Sequence, residues 1–596
     1  MTVKYLLGVS DLVVLSITLV IPLLIGFKFK SSGSEHGSPS EYFLAGKNAG
    51  LLVVVTSTTV TILSAIVMIS TSAEIYKFGP MHVYFSIGLC IGSYFASYMF
   101  TPIYFRCKVS SIYELLEMRF GKYTRYAISA VFIVQTMLYM CAVLLGPVLA
   151  LNAVTNFSMQ MAIIAFGAVC TIYCVMGGLK AVLWTDAFQA VLMITVIIIV
   201  YVVGISEVGS VTEIIRRASE GKRLNFFDFR LDFETRYTFW NCFFRGVGFG
   251  LAFWGCSQLE VQRALSMSSL SRAQSSIRWS TLSLFSFQII CNLIGILIYA
   301  VFYLCDPVLM YRDTGITKYD QIVPYFIISR LHSIPGLTGL CIAGIFSGSL
   351  STMSSALNSL ATVTVVDFVQ PAIPSLTEFR TVTIAKFLVI SLFYGLLCIG
   401  IAFFLAEVDS LMQAAIVFMS YTEGPVLAVF LIAVLTRKAS DKSAFLGLSI
   451  GVCLVSWLGF GSLFGGFRHP HLPLETSACP AYANVTSSLL NNSTTICSAS
   501  SNCTLETVVQ QKEIFALYKM LLLNFISTIG CLTTVTLVLI FSLILDGNKN
   551  VIPPDSKCLS PLVEFLMKSV PIQEIKEKEI QMKNINTLNL SQQSGV

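Results

Sequence analysis

Charged residues are scarce in this sequence. Only 12% of its 596 residues are Asp, Glu, Lys or Arg, which is about half the share in a typical soluble domain. Hydrophobic residues make up 55% of the chain, and the mean hydropathy is +0.78. These values exclude a soluble globular protein and predict an all-α polytopic protein of the lipid bilayer. The net charge of +6 is spread over the loops, so nucleic-acid binding is not expected.

Signatures of catalytic and metal sites are also lacking. The chain has no HExxH or CxxC sequence and no glycine loop of the Walker type. None of its five histidines lies in the middle of an apolar segment beside a second potential ligand. The seventeen cysteines lie mostly in apolar segments, where cysteine behaves as a small hydrophobic residue. An enzyme is therefore not expected.

Thirteen apolar windows have the length of about 20 residues that a bilayer requires. An odd number of spans places the two termini on opposite sides of the membrane. Lysine and arginine are concentrated in the short loops after the first, third, seventh and eleventh windows, and such loops stay in the cytoplasm. We therefore predict an N-terminus outside and a C-terminus inside. The windows are 9–27, 51–73, 82–102, 127–150, 159–178, 185–205, 239–257, 280–303, 336–363, 381–405, 410–435, 443–464 and 519–543.

Two predicted outer loops have distinct compositions. Segment 206–238 carries six basic and six acidic residues, so we expect a folded, charge-balanced extracellular loop. The loop 465–518 contains N-glycosylation acceptors, which only the lumenal machinery modifies. These acceptors are Asn484, Asn491, Asn492 and Asn502. The candidates for one or two disulfides on this oxidising side, with the pairing left open, are Cys305, Cys479, Cys497 and Cys503.

Two spans are unsuited to form regular membrane helices. Residues 56–64 are rich in hydroxyl groups, and residues 241–256 contain four glycines together with Arg245. A pair of interrupted spans in corresponding positions is typical of transporters built from inverted repeats. We predict a first five-helix repeat at 51–205 and a second at 239–435.

The remaining segments lie outside the two repeats. We predict an extra transmembrane helix within 1–30, two C-terminal helices within 443–543 and a disordered cytoplasmic tail at 544–596. The tail ends in Ser594-Gly-Val596, which fits the carboxyl-terminal pattern that PDZ domains bind by strand addition. A PDZ-domain protein is therefore a candidate partner.

The stretch from Ser347 to Asp367 is polar within an apolar environment. It carries nine hydroxyl side chains, and several of them share one face at helical spacing. The residues alone leave two interpretations open. This face packs tightly against neighbouring helices, or it holds a small cation with oxygen ligands.

Five motifs, in order along the chain, resemble those of the sodium:solute symporter family. The resemblance is closest to the branch that carries monocarboxylates, multivitamins and iodide. It covers residues 41–371 by motif and extends to residue 543 by the number of spans. The motifs are Glu41-Tyr-Phe-Leu-Ala-Gly-Lys47, the segment 64–79, Gly177-Gly-Leu-Lys-Ala-Val-Leu-Trp-Thr-Asp-Ala-Phe-Gln189, Gln258-Leu-Glu-Val-Gln-Arg-Ala-Leu-Ser266 and the segment 347–371.

The resemblance implies a leucine-transporter-type fold, with two inverted repeats of five helices around a central site. It also implies a sodium site. The ligands carried over by motif are the hydroxyls of Ser351 and Thr352 and the carbonyls of Gly348, Val60 and Leu63. Asp186 and Gln189, at the cytoplasmic end of the sixth span, would receive sodium on its way in. As a residue type, Asp186 also suits the start of a helix, which its side chain would cap.

Several positions depart from the family pattern. Arg245 lies well inside the seventh span, where related members have small residues. An intramembrane Arg needs a partner, and the sequence leaves two open: a substrate carboxylate, or Glu423 of the eleventh span. Val67 replaces a polar residue of the iodide carriers, which disfavours iodide. Phe253 and Trp254 occupy the place of the family's inner aromatic gate, although one of these rings could instead face lipid.

We therefore expect a plasma-membrane symporter that couples sodium entry to the import of a small organic anion, monocarboxylate-like, by alternating access. The second interpretation is a carrier of biotin, pantothenate or another organic solute. A third interpretation, from another functional class, is a sodium-gated ligand sensor or channel that does not concentrate the solute.

Overall fold

All regular structure in the described part of the chain is helical, as the composition predicts. A computed structural model describes residues 7–32, 43–155, 158–174, 179–232, 235–374, 393–406, 410–464, 470–479, 525–546, 552–553 and 556–563. Four groups of predicted features lie outside these residues: the glycosylation acceptors Asn484, Asn491, Asn492 and Asn502, the cysteines Cys497 and Cys503, the C-terminal Ser594–Val596, and most of the tail.

The described helices fall into two groups along the chain, one on each side of residues 221–238. The first group is α1 (Val9–Ser32), α2 (Leu51–Ile62), α3 (Val67–Phe78), α4 (Val83–Met99), α5 (Thr101–Cys107), α6 (Glu114–Arg119), α7 (Lys122–Val154), α8 (Met159–Cys174), α9 (Leu179–Val208) and α10 (Val211–Glu220). The second is α11 (Phe239–Cys256), α12 (Gln258–Leu265), α13 (Leu270–Val301), α14 (Tyr311–Thr314), α15 (Ile322–Leu331), α16 (Leu337–Val363), α17 (Gln370–Ala372), α18 (Phe393–Leu405), α19 (Leu411–Leu435), α20 (Asp441–Phe464) and α21 (Ile526–Phe541).

Each of the thirteen predicted windows overlaps a helix. Eight helices of the described chain are long and apolar enough to cross a membrane, and the bent pair α2–α3 adds a ninth if it is counted as one span. Shorter apolar helices lie at Val9–Ile25, Met159–Ala168 and Phe393–Leu405. The multi-pass character is thus confirmed, while the count of thirteen and the orientation stay predictions.

Helix α16 lies at the centre of the bundle. It continues through a wide turn at Thr364–Val369 into α17, and 94% of the most apolar window of Leu337–Ala372 is buried within the protein. Its hydroxyl-bearing face therefore contacts protein. It packs against α2, α7 and α9.

The predicted break at 56–64 lies at Leu63 and Ser64. Helices α2 and α3 meet there at an angle of 59°. Leu63 leaves the helical conformation at φ −74°, ψ 55°, and its N–H closes the last turn on the carbonyl of Thr59 at 3.0 Å. The last carbonyls of α2 are consequently left without helical partners, as at any helix C-terminus.

The second predicted break is displaced. Helix α11 is continuous through its four glycines and ends at Cys256, and the chain becomes extended at Ser257 (φ −101°, ψ 122°) before α12 begins. The prediction that the glycines of 241–256 interrupt the span is therefore wrong. Glycine weakens a helix only modestly, and here it meets a packing requirement instead.

Close backbone contact between α4 and α11 accounts for these glycines. Gly88 and Gly92 of α4 face Gly246 and Gly250 of α11, and a methyl group at any of the four would overlap a carbonyl oxygen of the other helix. Small residues at such an interface let two membrane helices approach closely. Gly248 of the same helix faces open space.

One end of the bundle is closed by polar contacts, and we call it the disulfide end. Cys305 is bonded there to Cys479. Glu74 of α3 is buried and accepts hydrogen bonds from Arg236 at 2.9 Å, from Tyr237 at 2.7 Å and from Ser410 at 3.4 Å. Because Arg236 and Tyr237 precede α11 and Ser410 precedes α19, Glu74 links the starts of these two helices.

Segment 206–238 lies at this end and is ordered by its own ion pairs. Arg216 of α10 pairs with Glu213 and with Glu220, each at 2.6 Å, and Arg217 pairs with Glu213 at 2.7 Å. Hydrogen bonds from Arg216 and Arg217 lower the pKa of Glu213 to about 2. The charges of this segment are therefore largely compensated within it.

The opposite end contains buried arginines that the sequence alone assigns to loops. Arg125 of α7 pairs with Asp367 at 2.6 Å, and the Ser111 and Ser129 hydroxyls donate to the same carboxylate. Arg119 donates to three backbone carbonyls around the end of α19, those of Ala433, Thr436 and Ala439. These cations hold helix ends together and do not face water freely.

The glycine contact predicts a position-specific loss of stability. In Gly246→Ala the added methyl group meets the carbonyl of Phe85, so we expect a loss of about 1–3 kcal/mol, as for other overpacked interiors. The control Gly248→Ala meets open space and should gain up to about 1 kcal/mol of helix propensity. Thermal unfolding midpoints and cell-surface yield of the two variants test this, and equal midpoints would contradict the packing argument.

Candidate functional site

The polar face of α16 meets the broken end of α2. The Thr352 hydroxyl donates to the Thr61 carbonyl at 2.7 Å, one of the groups that the break releases, and lies 3.0 Å from the carbonyl of Gly348. A methyl group on Gly348 would lie 3.1 Å from the carbonyl oxygen of Leu63 and 3.0 Å from the nitrogen of Ala65. Glycine at 348 therefore permits the close approach of the two segments. Val60 is buried in the last turn of α2.

Asp186 lies at the same place from a third helix. Its carboxylate accepts the Ser351 hydroxyl at 2.6 Å and the Ser57 hydroxyl at 2.5 Å, and it is completely buried. It stands well inside α9, which begins at Leu179. The interpretation of Asp186 as a helix-start cap is therefore wrong, because its oxygens are turned to neighbouring helices.

Gln189 follows Asp186 by one turn of α9. It is fully buried, and neither the oxygen nor the nitrogen of its amide has a hydrogen-bond partner among the described residues. An unpaired buried amide is costly. Its position beside Asp186 makes it a ready donor or acceptor for a further group.

Arg263 joins this cluster, and the sequence analysis missed it. In the sequence, Arg263 is one of the basic residues that follow the seventh window and belongs to the motif 258–266, yet the exposure of its side chain is 1%. Its guanidinium donates to Ser57 at 3.1 Å, to Thr61 at 2.6 Å and to Ser355, and it pairs with Glu260 at 2.7 Å. The i,i+3 spacing of Glu260 and Arg263, directly after a break, was the available signal.

The cluster suits a small cation. It gathers hydroxyl and carbonyl oxygens, the ligands that hard cations prefer, in a buried region. Two carboxylates, Asp186 and Glu260, face one guanidinium, Arg263. With both acids ionised, one negative charge is left, and a single monovalent cation would neutralise it. Buried charges are tolerated when they are paired in this way.

The remaining hydroxyls of α16 have other roles. Those of Ser347 and Ser354 donate to carbonyls of their own helix, at 2.9 Å and 3.0 Å. The Ser349 hydroxyl donates to the carbonyl of Val143 on α7 at 2.9 Å. Helix packing and a polar site therefore use different residues of the same stretch.

Two cavities lie beside the cluster and share part of their walls. The Arg245 cavity is lined by Val67, Thr71, His82 and Arg245, together with apolar residues of α2, α4 and α19. The guanidinium of Arg245 lies over the ring of Phe85, 4.8 Å from its centre. Val67 is thus part of the wall of this cavity.

The Glu423 cavity lies next to it and is lined by Glu423, Gln135, Thr136 and Ser257, with several aromatic rings. Four residues border both cavities: Tyr139, Phe253, Leu259 and Met419. Phe253 therefore stands at the partition between the two cavities. Trp254 is buried and lines neither cavity.

Arg245 and Glu423 do not form a salt bridge in the described chain. They are close enough to interact as charges, but they line different cavities. Of the two partners that the sequence leaves open for Arg245, a direct ion pair with Glu423 is thus not formed in this conformation.

The profile of the sodium:solute symporter family matches residues 42–451. The chain belongs to this family. The match covers the broken helix α2–α3, the hydroxyl face of α16 and both cavities, so the resemblance inferred from the motifs is confirmed.

Individual relatives agree with this membership. The chain is 33% identical to the sodium-coupled monocarboxylate transporter 1 of Xenopus laevis over 545 residues, which is 91% of this chain and 86% of the relative. It is 33% identical to the sodium-dependent multivitamin transporter of Oryctolagus cuniculus over 565 residues, 94% and 86% of the two chains. Both relatives are transporters, not enzymes, and both are sodium-dependent.

A solved structure shares the fold. The outward-open, substrate-bound structure of a Na+-coupled sialic acid symporter aligns with a TM-score of 0.71 and 19% identity, covering 91% of this chain and all of that one. At this identity the likeness shows the fold alone.

The hydrogen bonds around Arg263 predict that a positive charge alone at position 263 does not maintain stability and sodium-dependent uptake. Arg263→Lys keeps the charge but cannot reach Ser57, Thr61, Ser355 and Glu260 at once, because Lys lacks the planar fork of donors. We expect a loss of about 2 kcal/mol or more from unsatisfied buried groups, together with reduced sodium-dependent uptake.

The exposed Arg272→Lys is the matched control and should behave as wild type. Thermal midpoints measured in detergent, together with uptake at graded sodium concentrations, test the expectation. Wild-type values for Arg263→Lys would show that the hydrogen-bond geometry around Arg263 is unimportant.

Proposed function

We propose that the chain is a sodium-coupled symporter that imports a small organic anion, monocarboxylate-like, by alternating access. The observation that carries the proposal is the buried set of oxygens where α16 crosses the broken end of α2. Family membership supports sodium coupling. Sodium would enter with the anion, and each positive charge moved inward gains about 1.4 kcal/mol at roughly −60 mV.

We propose Ser351 and Thr352 as the hydroxyl ligands of sodium. The carbonyls of Gly348, Val60 and Leu63 would complete the shell, and the contact between Gly348 and Leu63 supports that assignment. The Thr352 hydroxyl lies on the freed carbonyl of Thr61, so sodium would take the place of this internal hydrogen bond. Asp186 and Gln189 would hand the ion on, since the Ser351 hydroxyl already contacts the Asp186 carboxylate.

We propose Arg245 as the group that binds the substrate carboxylate. An arginine within a membrane helix costs about 2.5–3.5 kcal/mol on insertion scales, and a guanidinium can grip a carboxylate through two hydrogen bonds. Its place on the wall of a cavity supports this role. Val67 would contact the apolar part of the substrate, and Phe253 would close the cavity below it.

Two other functions remain as alternatives. The likeness to a multivitamin transporter favours biotin or pantothenate as a substrate class as much as a monocarboxylate. A sodium-gated ligand sensor or channel would use the same two sites without concentrating the solute. Uptake against a gradient separates the last alternative from a symporter.

The proposed topology is based on the short loops that are rich in lysine and arginine, which we place in the cytoplasm. The N-terminus and the disulfide end would lie outside, the C-terminus inside, and the repeats 51–205 and 239–435 would together form the transport core in the plasma membrane. A disulfide at this end agrees with an oxidising exterior. Glycans at 484–502 and a PDZ-domain partner at the C-terminus belong to the same proposal.

Sodium replacement tests the ion site. With lactate, butyrate, nicotinate, biotin, pantothenate and iodide as probes, wild-type uptake should fall to background when choline replaces sodium. Ser351→Ala and Thr352→Ala should raise the half-saturating sodium concentration about tenfold, since a lost ligand hydroxyl is worth about 1–1.5 kcal/mol. Ser347→Ala is the matched control, because this hydroxyl bonds only within its own helix. Equal uptake in choline medium would remove the sodium hypothesis.

The role of Arg245 is tested by a double change. Arg245→Gln should abolish uptake because the substrate loses its counter-charge. If Arg245 serves only to balance Glu423, then the additional change Glu423→Gln should restore uptake, because both charges are then gone. We expect no restoration. Uptake kinetics normalised to surface protein provide the measurement, and recovery in the double variant would refute the substrate role.

A further inference from the structure

Two buried charges of opposite sign stand on neighbouring helices, one in each cavity. The exposure of Arg245 on α11 is 8%, and that of Glu423 on α19 is 6%. The helices pack against each other, and the two cavities meet at a partition formed by Tyr139, Phe253, Leu259 and Met419. A ligand that reaches past this partition would therefore contact both charges.

The two charges lie at different depths. Helices α11 and α19 both begin at the disulfide end, where Glu74 contacts Arg236 just before the first and Ser410 just before the second, so we count depth from the helix starts. Arg245 is six residues beyond the start of α11, and Glu423 is twelve beyond the start of α19. With a rise of about 1.5 Å per residue, their depths are about 9 Å and about 18 Å. The difference between these two depths, which we call the axial offset, is therefore about 9 Å.

The surroundings of Glu423 are those of a site for an ammonium group. Neither carboxylate oxygen has a hydrogen bond of acceptable geometry within the described chain, although the Ser527 hydroxyl lies nearby. Aromatic faces attract cations, most strongly where water is excluded. The rings that line this cavity are those of Tyr113, Phe132, Tyr139 and Phe253.

We propose that the organic substrate is a short zwitterionic amino acid, with its carboxylate on Arg245 and its ammonium group on Glu423 among the aromatic rings. This inference rests on the proposed substrate role of Arg245. It replaces the simple anion of the proposed function by a carboxylate that also carries an ammonium group, so that the substrate has no net charge.

The spacing of the two charges agrees with a short carbon chain. A charge-assisted hydrogen bond of about 2.8 Å at each end takes up more than half of the axial offset. The remaining 3–4 Å or so correspond to two or three bonds of about 1.5 Å each. An α- or β-amino acid has this separation between its charges, and the flexible side chains admit a somewhat longer one.

Desolvation makes the zwitterion preferable to a simple anion at this site. A carboxylate ligand alone would neutralise Arg245 and leave the Glu423 charge without compensation inside the protein, which is costly. An amino acid compensates both buried charges at once. Simple monocarboxylates would then be weak substrates of the same site.

Wild-type protein provides the first test. Sodium-dependent uptake is measured for glycine, β-alanine, 4-aminobutyrate and 5-aminopentanoate, and for the carbon-matched acids acetate, propionate, butyrate and pentanoate. We expect at least one amino acid to have a KM about 30-fold or more below that of its matched acid, the scale for a buried charge pair. Acids that equal or surpass their amino acids throughout the series would overturn the inference.

The variant Glu423→Gln provides the second test, since it keeps the shape of the side chain and removes the charge. It should abolish the preference for the amino acid, so that the KM values of the amino acid and its matched acid become about equal. Glu207→Gln is the matched control, because Glu207 lies at the surface in an exposed pair with Arg330. An equal loss for both substrate series, at normal surface yield, would make Glu423 a structural counter-charge and contradict the proposal.

The outcomes separate this inference from the function on which it rests. If the acids are carried and the amino acids are not, the zwitterion is excluded while the sodium-coupled anion symporter stands. If neither series moves with sodium, the proposed function itself fails. If Arg245→Gln abolishes uptake of both series and Glu423→Gln removes only the preference for the amino acids, both proposals are supported.

Discussion

A helix that stops in the middle of a membrane leaves polar backbone groups that water cannot reach, and the surrounding structure must satisfy them. At the end of α2 this requirement is met by α16, whose Thr352 hydroxyl reaches the Thr61 carbonyl and whose Gly348 admits the chain at Leu63. Asp186 and Arg263 then bind the hydroxyls that flank the break. A mobile cation can replace these internal hydrogen-bond donors, because its positive charge attracts the same oxygen atoms. Under the proposed function, the site that completes the fold and the site that would bind the transported ion share the same atoms.

Much of this architecture could be predicted from local pattern. Each of the thirteen apolar windows overlaps a helix, and the hydroxyl-rich stretch 56–64 contains the break at Leu63. The role of the glycines of α11 could not be predicted in this way, because a glycine that interrupts a helix and one that admits a neighbouring backbone look the same in a single chain. Arg263 was missed for a related reason. A cation between two spans is normally a solvated loop residue, and only the tertiary fold shows that this one is enclosed by the hydroxyls of Ser57 and Thr61.

The two unusual charges, Arg245 and Glu423, stand out in the sequence because intramembrane charges are rare. Their relation, however, depends on how α11 and α19 are aligned, and Glu74 sets that alignment through contacts that come from three separate parts of the chain. Sequence separation carries no information about such an offset. The structure therefore changes the question about these residues, from whether they pair with each other to what lies between them.

The contact of α4 with α11 has a mechanical consequence. The backbones of α4 and α11 touch at Gly88, Gly92, Gly246 and Gly250, and no side chains lie between them there. We therefore expect the two helices to move together as one rigid unit. Arg245 and Phe253 lie on the α11 side of this unit, and His82 and Phe85 lie on its α4 side. The proposed carboxylate site at Arg245 would therefore keep its shape through a transport cycle, and access to it would change by displacement of α2–α3 and α19 relative to α4 and α11.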